Sequence, residues 1–304
     1  MAPEKQFFAL GECMLELSGA PGGSLTMAYG GDTLNTCVYL ARLGMATAYV
    51  TVLGDDANSG WLLEQWQNEG IDTQGVTRLA GGKPGLYWIH LDTSGERSFS
   101  YWRGESAARS LLGNDEQMNQ LHSVMADGYL CYLSGITLSI LSPHARERLW
   151  HLLDGLRAKG VIVAFDSNFR SAGWASVDVA REAFERTLSH VDIALPTFGD
   201  EALLYGDETA AHTADRLHTH GVSEVVVKQD AEGCRVSLGS LEAWIPAMPV
   251  RRVVDTTAAG DAFNAAYLAA RYQGLDCEQA AARGHQLAAE VIQFPGAIIP
   301  RDVM

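Results

Sequence analysis

The chain is short of positive charge. Its 304 residues hold 22 lysines and arginines against 37 aspartates and glutamates, a formal net charge of −15. Lysine occurs only at Lys5, Lys83, Lys159 and Lys228. A groove that follows a nucleic-acid backbone needs clustered cations, so no nucleic acid is expected as the main partner. An anionic membrane surface is disfavoured for the same reason. Long apolar runs are also missing, and none approaches the roughly 18 residues of a spanning helix. Met1 to Gln6 lead into a strand-like run with no basic segment before a long apolar one, so no secretory signal and a cytoplasmic location are expected. Cysteine is sparse: Cys13, Cys37, Cys131, Cys234 and Cys277 are odd in number, and no two have the spacing of a zinc knuckle or a redox pair. Free buried thiols in a reduced compartment are the expectation. The nine histidines are scattered without metal-ligand spacing. No segment fits a Walker phosphate loop, no glycine-rich dinucleotide fingerprint follows the first strand, and no serine has a nucleophile-elbow context.

What is present is an apolar content of 47%, ample for a large core. Short β-branched and aromatic runs alternate with helical patterns. Strands are predicted at 7–10, 48–53, 86–91, 97–102, 129–133, 161–165, 192–195, 224–228 and 234–238. Asp32 is expected to cap a helix to Leu43, Ser59 one over 61–68, and Ser142-Pro143 to open one to Ala158. From Tyr129 onward, strand and helix alternate, which demands a mostly parallel sheet covered on both faces. The stretch 86–102 breaks that alternation and reads as a hairpin around Asp92 to Gly95, a candidate lid. No linker or repeat divides the chain, so one domain over 1–304 is expected.

Four tracts could carry chemistry. In Asp255-Thr256-Thr257-Ala258-Ala259-Gly260-Asp261, a strand ending at Val254 is expected to meet small residues and then a helix from about Asp261 to Tyr272. Small side chains admit a ligand to the backbone, helix-start amides suit an anion, and a carboxylate there could act as a general base. A carboxylate in a first helical turn is also an ordinary stabilising choice. Gly30-Gly31-Asp32-Thr33-Leu34-Asn35 permits close approach of a small polar ligand, or is simply a turn and a cap. Asp166-Ser167-Asn168-Phe169-Arg170 follows a buried strand, where ligands of open α/β sheets gather, or is a solvated loop. Lys228 ends a Val-Val-Val strand and, taken alone, reads as a snorkelling surface lysine.

The order of these tracts resembles the ribokinase-like (PfkB) sugar kinases over nearly the whole chain. The double glycine with Asn35 and the stretch 255–261 resemble that family's two signatures. The tracts 11–17, 30–35, 84–87, 95–103 and 296–301 resemble the branch that acts on a 2-keto-3-deoxy sugar acid. The resemblance implies a three-layer α/β sandwich with a small β-sheet lid drawn from about 12–30 and 84–103. It implies ATP-dependent phosphorylation of the primary hydroxyl of 2-keto-3-deoxygluconate, with Mg2+ and room for a monovalent cation, in a homo-oligomer. Asp261 matches the catalytic base. Gly31, Asp32, Thr33, Leu34, Asn35, Tyr87, Tyr101, Trp102, Arg103 and Arg170 match the sugar site. Asn168, Phe169, Arg170, Lys228, Gln229, Asp230 and Gly233 match the nucleotide side, and Ala258, Ala259 and Gly260 match the anion hole. No dedicated protein ligand for the metal is expected. Glycine is usual where Ala258 stands, which is tolerable if φ stays negative, and frequent where Asp230 stands. The family's Asn-x-x-Glu motif is degraded over 197–201, leaving Asp200 or Glu201 as the substitute.

Other readings stay open from the residues: a kinase of a neutral sugar such as fructose or ribose, a nucleoside kinase, or a sugar-binding regulator without turnover. Two arginines converging on the sugar, Arg103 and Arg170, would favour an acid.

Overall fold

Strands buried along their whole length make parallel sheets, and β-branched or aromatic residues fill them here. The structure, a computed structural model, describes residues 5–19, 24–91 and 97–304. The described strands are β1 (Phe7–Leu10), β2 (Met14–Ser18), β3 (Thr26–Gly30), β4 (Thr47–Gly54), β5 (Val76–Leu79), β6 (Gly85–Leu91) and β7 (Arg97–Trp102). They continue with β8 (Leu130–Ser134), β9 (Ile162–Asp166), β10 (Ile193–Ala194), β11 (Glu224–Gln229), β12 (Gly233–Leu238) and β13 (Leu241–Pro246). The helices are α1 (Asp32–Arg42), α2 (Ala57–Asn68), α3 (Asp115–Met125), α4 (Gly135–Ile140) and α5 (Pro143–Ala158). After them come α6 (Val177–Leu188), α7 (Phe198–Tyr205), α8 (Ala210–Thr219), α9 (Ala259–Tyr272) and α10 (Cys277–Val291).

Nine strands form one sheet in the order β13-β12-β11-β10-β9-β8-β1-β4-β5. It is parallel from β11 to β5, and β12 and β13 close it as an antiparallel meander. Alternation along β1 divides the core. Phe8 and Leu10 pack with α3, α5, α6 and α8, while Phe7 and Ala9 pack with α1, α2, α9 and α10. The chain runs outward from β1 in both directions, so the switch point lies between β1 and β8, where open α/β sheets bind ligands. Thr137 donates to the Leu10 carbonyl at 2.7 Å and ties the two strand ends together.

A second sheet, β3-β2-β6-β7, stands apart. The expected alternation appears in β6: Tyr87 and Ile89 are buried with Met14, and Trp88 and His90 are half-exposed on the other face. The turn expected at Asp92 to Gly95 lies outside the described residues. Strands β5 and β13 were not expected from the pattern. Both are sheet edges, half-exposed, and so lack a continuous apolar run.

Three local expectations are corrected. Asp32 is the first residue of α1, and Gly31 occupies its cap. A Cβ at Gly31 would lie 2.2 Å from the Glu12 carbonyl, so only glycine fits there. α2 starts earlier than expected because Asp56 caps it, accepting from the Ser59 amide at 3.0 Å; the charged acceptor three residues upstream displaces the serine. No strand ends at Val254. Its amide and that of Asp255 bond to the Ile292 carbonyl at the end of α10, and the run never reaches a sheet edge.

Candidate active site

The switch-point crevice is built on a buried ion pair. Lys228, near the end of β11, is only 6% exposed, so the snorkelling account fails. Its ammonium donates to Asp166 Oδ2 at 2.9 Å and to Asn264 Oδ1 at 2.9 Å. Asn264 in turn donates to Asp166 Oδ2 at 2.7 Å and to the Tyr132 hydroxyl at 3.0 Å. Every member of this network gains a partner, which is the condition for burying such groups. A Cβ on Gly260 would stand 3.5 Å from Lys228 Nζ, so the lysine reaches the start of α9.

Asp261 occupies the first turn of α9 and is buried. One carboxylate oxygen accepts from Asn35 Nδ2 at 2.8 Å, and its carbonyl accepts from Thr36 Oγ1 at 3.3 Å. Burial, and then the neighbouring Asp32 carboxylate, push the Asp261 carboxyl up to about 8, while Asn35 and Lys228 oppose the shift. Asp32 is itself raised by burial and accepts from Asn168 Nδ2 at 2.8 Å. The α9 approach is pinned by Asp255, which accepts from the Thr257 amide and hydroxyl and from the Gly296 amide.

Ala258 has φ 60°, in the left-handed region, contrary to the expectation of a negative φ. It caps α9 and starts the helix at Ala259, earlier than expected. The same region holds Asn168 at 32° and Asp230 at 48°. Of the expected anion-hole amides, that of Ala259 is taken by the Thr256 carbonyl at 3.2 Å. Those of Ala258, Gly260 and Asp261 have no acceptor among the described residues.

The small sheet supplies the other wall. Tyr87 donates to Glu16, and burial followed by that carboxylate raises the phenol. A Cβ at Gly30 would lie 2.8 Å from the Tyr87 hydroxyl and 3.8 Å from Asn35 Oδ1, which links this wall to the residue holding Asp261. Tyr101 pairs with Tyr87 across β6 and β7, and it and Trp102 are exposed at the rim. Arg103, just beyond β7, is ion-paired with Glu12.

The structure does not bring the two expected arginines into one cluster. Arg170 is 59% exposed at its side chain and bonds to Asp200 at 3.1 Å. Burial raises Asp200, Arg170 opposes this, and Asp166 and Lys228 act on it more weakly, which puts the pair on the lysine side. Glu201 is locked by Arg216, itself held by Asp207, so Asp200 is the acid that faces the crevice. The side chains of Leu34 and Phe169 are core residues and that of Thr33 bonds to Tyr49, so none of the three offers a side chain to a ligand. Gly233 serves the β12–β13 pairing, since a Cβ there would lie 2.2 Å from the Ile245 carbonyl; Gln229 and Asp230 lie at the turn before it.

Glu12, Glu16, Asn264 and Tyr132 were not foreseen as site residues, and Asp166, inside a tract expected near a ligand, was given no role of its own. Two signals existed: Asn264 stands one helical turn from Asp261, and Glu12 and Glu16 are charges inside an otherwise apolar tract. Among the described residues no three His, Cys, Asp or Glu are grouped to hold a metal ion.

A parallel sheet whose switch point carries a buried carboxylate at a helix start, a paired lysine and a second β-sheet wall defines a ribokinase-like small-molecule kinase. The profile of the pfkB family carbohydrate kinases matches residues 5–304, and the chain belongs to that family. It is 44% identical to the 2-dehydro-3-deoxygluconokinase of Escherichia coli (strain K12), over 99% of both chains. The crystal structure of 2-dehydro-3-deoxygluconokinase from Thermotoga maritima superposes with a TM-score of 0.86 at 20% identity, over 97% of this chain and 95% of that one. A putative ribokinase II from E. coli, in complex with ATP and Mg2+, gives a TM-score of 0.84 at 22% identity, over 97% and 94%. No helix of the described residues is long and apolar enough to cross a membrane.

Two predictions follow from this geometry. The left-handed conformation costs an alanine about 1–2 kcal/mol, partly offset by the greater freedom of glycine in the unfolded chain. Ala258→Gly should therefore stabilise the protein by about 0.5 kcal/mol in urea unfolding. A loss above about 1 kcal/mol would contradict that origin of strain. Asp261 keeps its proton in the folded protein to about 8, whereas the unfolded chain releases it near 4. That stability is fully present below the lower value and disappears as pH rises through the upper one. The melting temperature of Asp261→Asn relative to the parent should thus climb between pH 4 and 8; a constant difference would show that the carboxyl is not raised.

Proposed function

We propose that this chain transfers the γ-phosphoryl group of ATP to the primary hydroxyl of 2-keto-3-deoxygluconate, the sugar acid also called 2-dehydro-3-deoxygluconate. The observation that carries the reading is Asp261: a buried carboxylate with raised proton affinity, between Lys228 on one side and the Asn35–Gly30–Tyr87 wall on the other. The end-to-end identity with the E. coli 2-dehydro-3-deoxygluconokinase supports the acceptor.

Phosphoryl transfer requires positioning and charge stabilisation more than covalent help. Asp261 takes the proton of the attacking hydroxyl. The free amides of Ala258, Gly260 and Asp261 face the transferring group, and Lys228 holds phosphate oxygens beside Gly260. The site fits an anion because Gly260 presents no side chain to that lysine. Magnesium bound with ATP would offset phosphate charge, and Asp200, a hard oxygen donor raised by burial, is the side chain that would hold it through water. Arg170 and Asn168 belong to the nucleotide side, with the turn at Gln229 and Asp230. Gly31, Asp32 and Asn35 line the sugar. The small sheet acts as a lid over it, with Tyr87 and Tyr101 against the sugar chain, and excludes water that would compete as acceptor; Trp102, paired with Leu86, projects from the opposite face of that sheet, contrary to its expected place in the sugar site.

The acceptor's carboxylate needs a partner when covered, and Arg103 supplies it. Asp261→Asn should lower kcat by on the order of 10² to 10⁴ without unfolding the protein. In the parent enzyme kcat/KM should fall about tenfold per pH unit below about 8, because the base must be ionised; wild-type turnover in the variant would end the assignment. Arg103→Ala should reduce kcat/KM for 2-keto-3-deoxygluconate at least about tenfold, spare its neutral amide, and leave the KM for ATP almost unchanged. An ADP-release assay over an acceptor panel that includes fructose and ribose checks both. Equal losses on acid and amide would refute the role of Arg103, and a preference for a neutral sugar in the parent would refute the sugar-acid reading.

A further inference from the structure

Glu12 is a buried carboxylate that the proposed reaction does not use. Its side chain has no exposed surface, and Arg103 is its ion-pair partner. Its other oxygen, Oε1, is buried with no hydrogen-bond partner, and so is Nε of Arg103. An unpaired buried acceptor is costly, and a hydrophobe of similar volume could fill the same space. A structural account therefore explains the carboxylate poorly.

The surroundings are more informative. Glu12 lies just after β1, under the junction of the two sheets. A Cβ at Gly31 would be 2.2 Å from its carbonyl oxygen, and a Cβ at Gly85 would be 2.9 Å from Oε1 and 3.3 Å from the Arg103 Cβ. Two glycines thus keep side chains away from Glu12: Gly31, before α1, from its backbone carbonyl, and Gly85, at the start of β6, from its carboxylate. Arg103, otherwise on the small sheet, is tied through Glu12 to the frame that carries Asn35 and Asp261.

We propose that Glu12 is a positioning residue for acceptor specificity: it anchors Arg103 to the large sheet, so that the arginine meets an acceptor carboxylate in one orientation relative to Asp261. This rests on the reading of Arg103 given above. The arginine has five donors, and one ion-pair contact to Glu12 leaves others for an incoming carboxylate. Because Arg103 is already neutralised, an anion gains little from its bare charge. It gains only when its geometry matches the donors left over. Glu12 thus exchanges long-range attraction for orientation.

The test compares kcat/KM for 2-keto-3-deoxygluconate with that for its neutral amide in the parent, Glu12→Gln, Arg103→Ala and the double variant. If Glu12 acts through Arg103, Glu12→Gln lowers the preference for the acid about tenfold, with the amide and the KM for ATP little changed. Added to Arg103→Ala, it then lowers the preference no further, since coupled residues are not additive. Equal loss on both acceptors, an unchanged preference, or an additional full loss in the double variant would overturn the proposal. If Arg103→Ala itself leaves the preference for the acid intact, the role of Arg103 fails and that of Glu12 with it, whereas a parent without that preference refutes the sugar-acid reading. If Arg103→Ala narrows the preference and Glu12→Gln does not, only the role of Glu12 falls. Should Glu12→Gln not fold, Glu12→Asp is read by the same ratio, and it should lose the preference because the shorter side chain cannot reach.

Discussion

Carboxylates buried where a polyanion must bind are the constraint on which the crevice depends. Asp166, Asp32 and Asp261 come from the end of β9 and the first turns of α1 and α9; Asp166 raises the proton affinity of the other two, and Asp32 that of Asp261. One cation, Lys228, is buried among them, and its ammonium is committed to Asp166. Asp32 and Asp261 are held by amide donors, Asn168 and Asn35, and by the positive ends of their own helices. In the proposed reaction that balance keeps the base poised. Enough dipoles are present for a carboxylate to ionise, and too little charge for it to do so at an ordinary carboxylate pH. The same bonds pack the fold, because Asn35 and Thr36 fasten α1 to α9 across the top of the sheet.

Much of this was legible in the sequence, and the limits have physical causes. Asp261 stood out because small residues before a helix leave a backbone exposed to a ligand. The partners of Lys228 were invisible because Asp166 is 62 residues away in sequence; without that pair, a strand-end lysine belongs in water. Capping was misread where two acceptors competed within one turn, and the choice between Asp56 and Ser59 is made by charge, which a pattern of cap residues ignores. The β-branched pair Val253-Val254 has strand propensity, but the amides of Val254 and Asp255 bond to the Ile292 carbonyl at the end of α10 instead of to a strand. Side-chain direction was the largest gap. Thr33, Leu34 and Phe169 lie inside matching tracts, yet the first two sit on the buried stretch of α1 and Phe169 turns from its loop into the core.

Backbone strain is concentrated at the crevice. Among the described residues, and apart from Leu112, the non-glycine residues with positive φ are Asn168, Asp230 and Ala258, and all three lie in loops at the ends of strands or before α9. Asparagine and aspartate enter the left-handed region readily because their short polar side chains bond locally, whereas alanine gains nothing of the kind. The substitution of glycine by alanine at 258 is therefore visible as strain rather than as a change of loop path. The loop keeps its conformation because Asp255 ties it to Thr257 and to Gly296. Rigid anchors on either side of a strained residue are what permit the strain to persist.

A net charge of −15 would be expected to repel a sugar acid and ATP alike. At physiological ionic strength that field is screened beyond about 8 Å, so the groups that matter are those in the crevice and its lid. Both arginines available to it are paired with carboxylates, Arg103 with Glu12 and Arg170 with Asp200. A site made only of bare cations would bind any small anion. One made of neutralised pairs rewards a ligand only where its own oxygens complete the unfilled donors, and it does so most when the small sheet has removed water from around them. In the proposed reaction, discrimination then resides in the geometry of two ion pairs and in the removal of water around them, and the overall charge is left free to serve solubility.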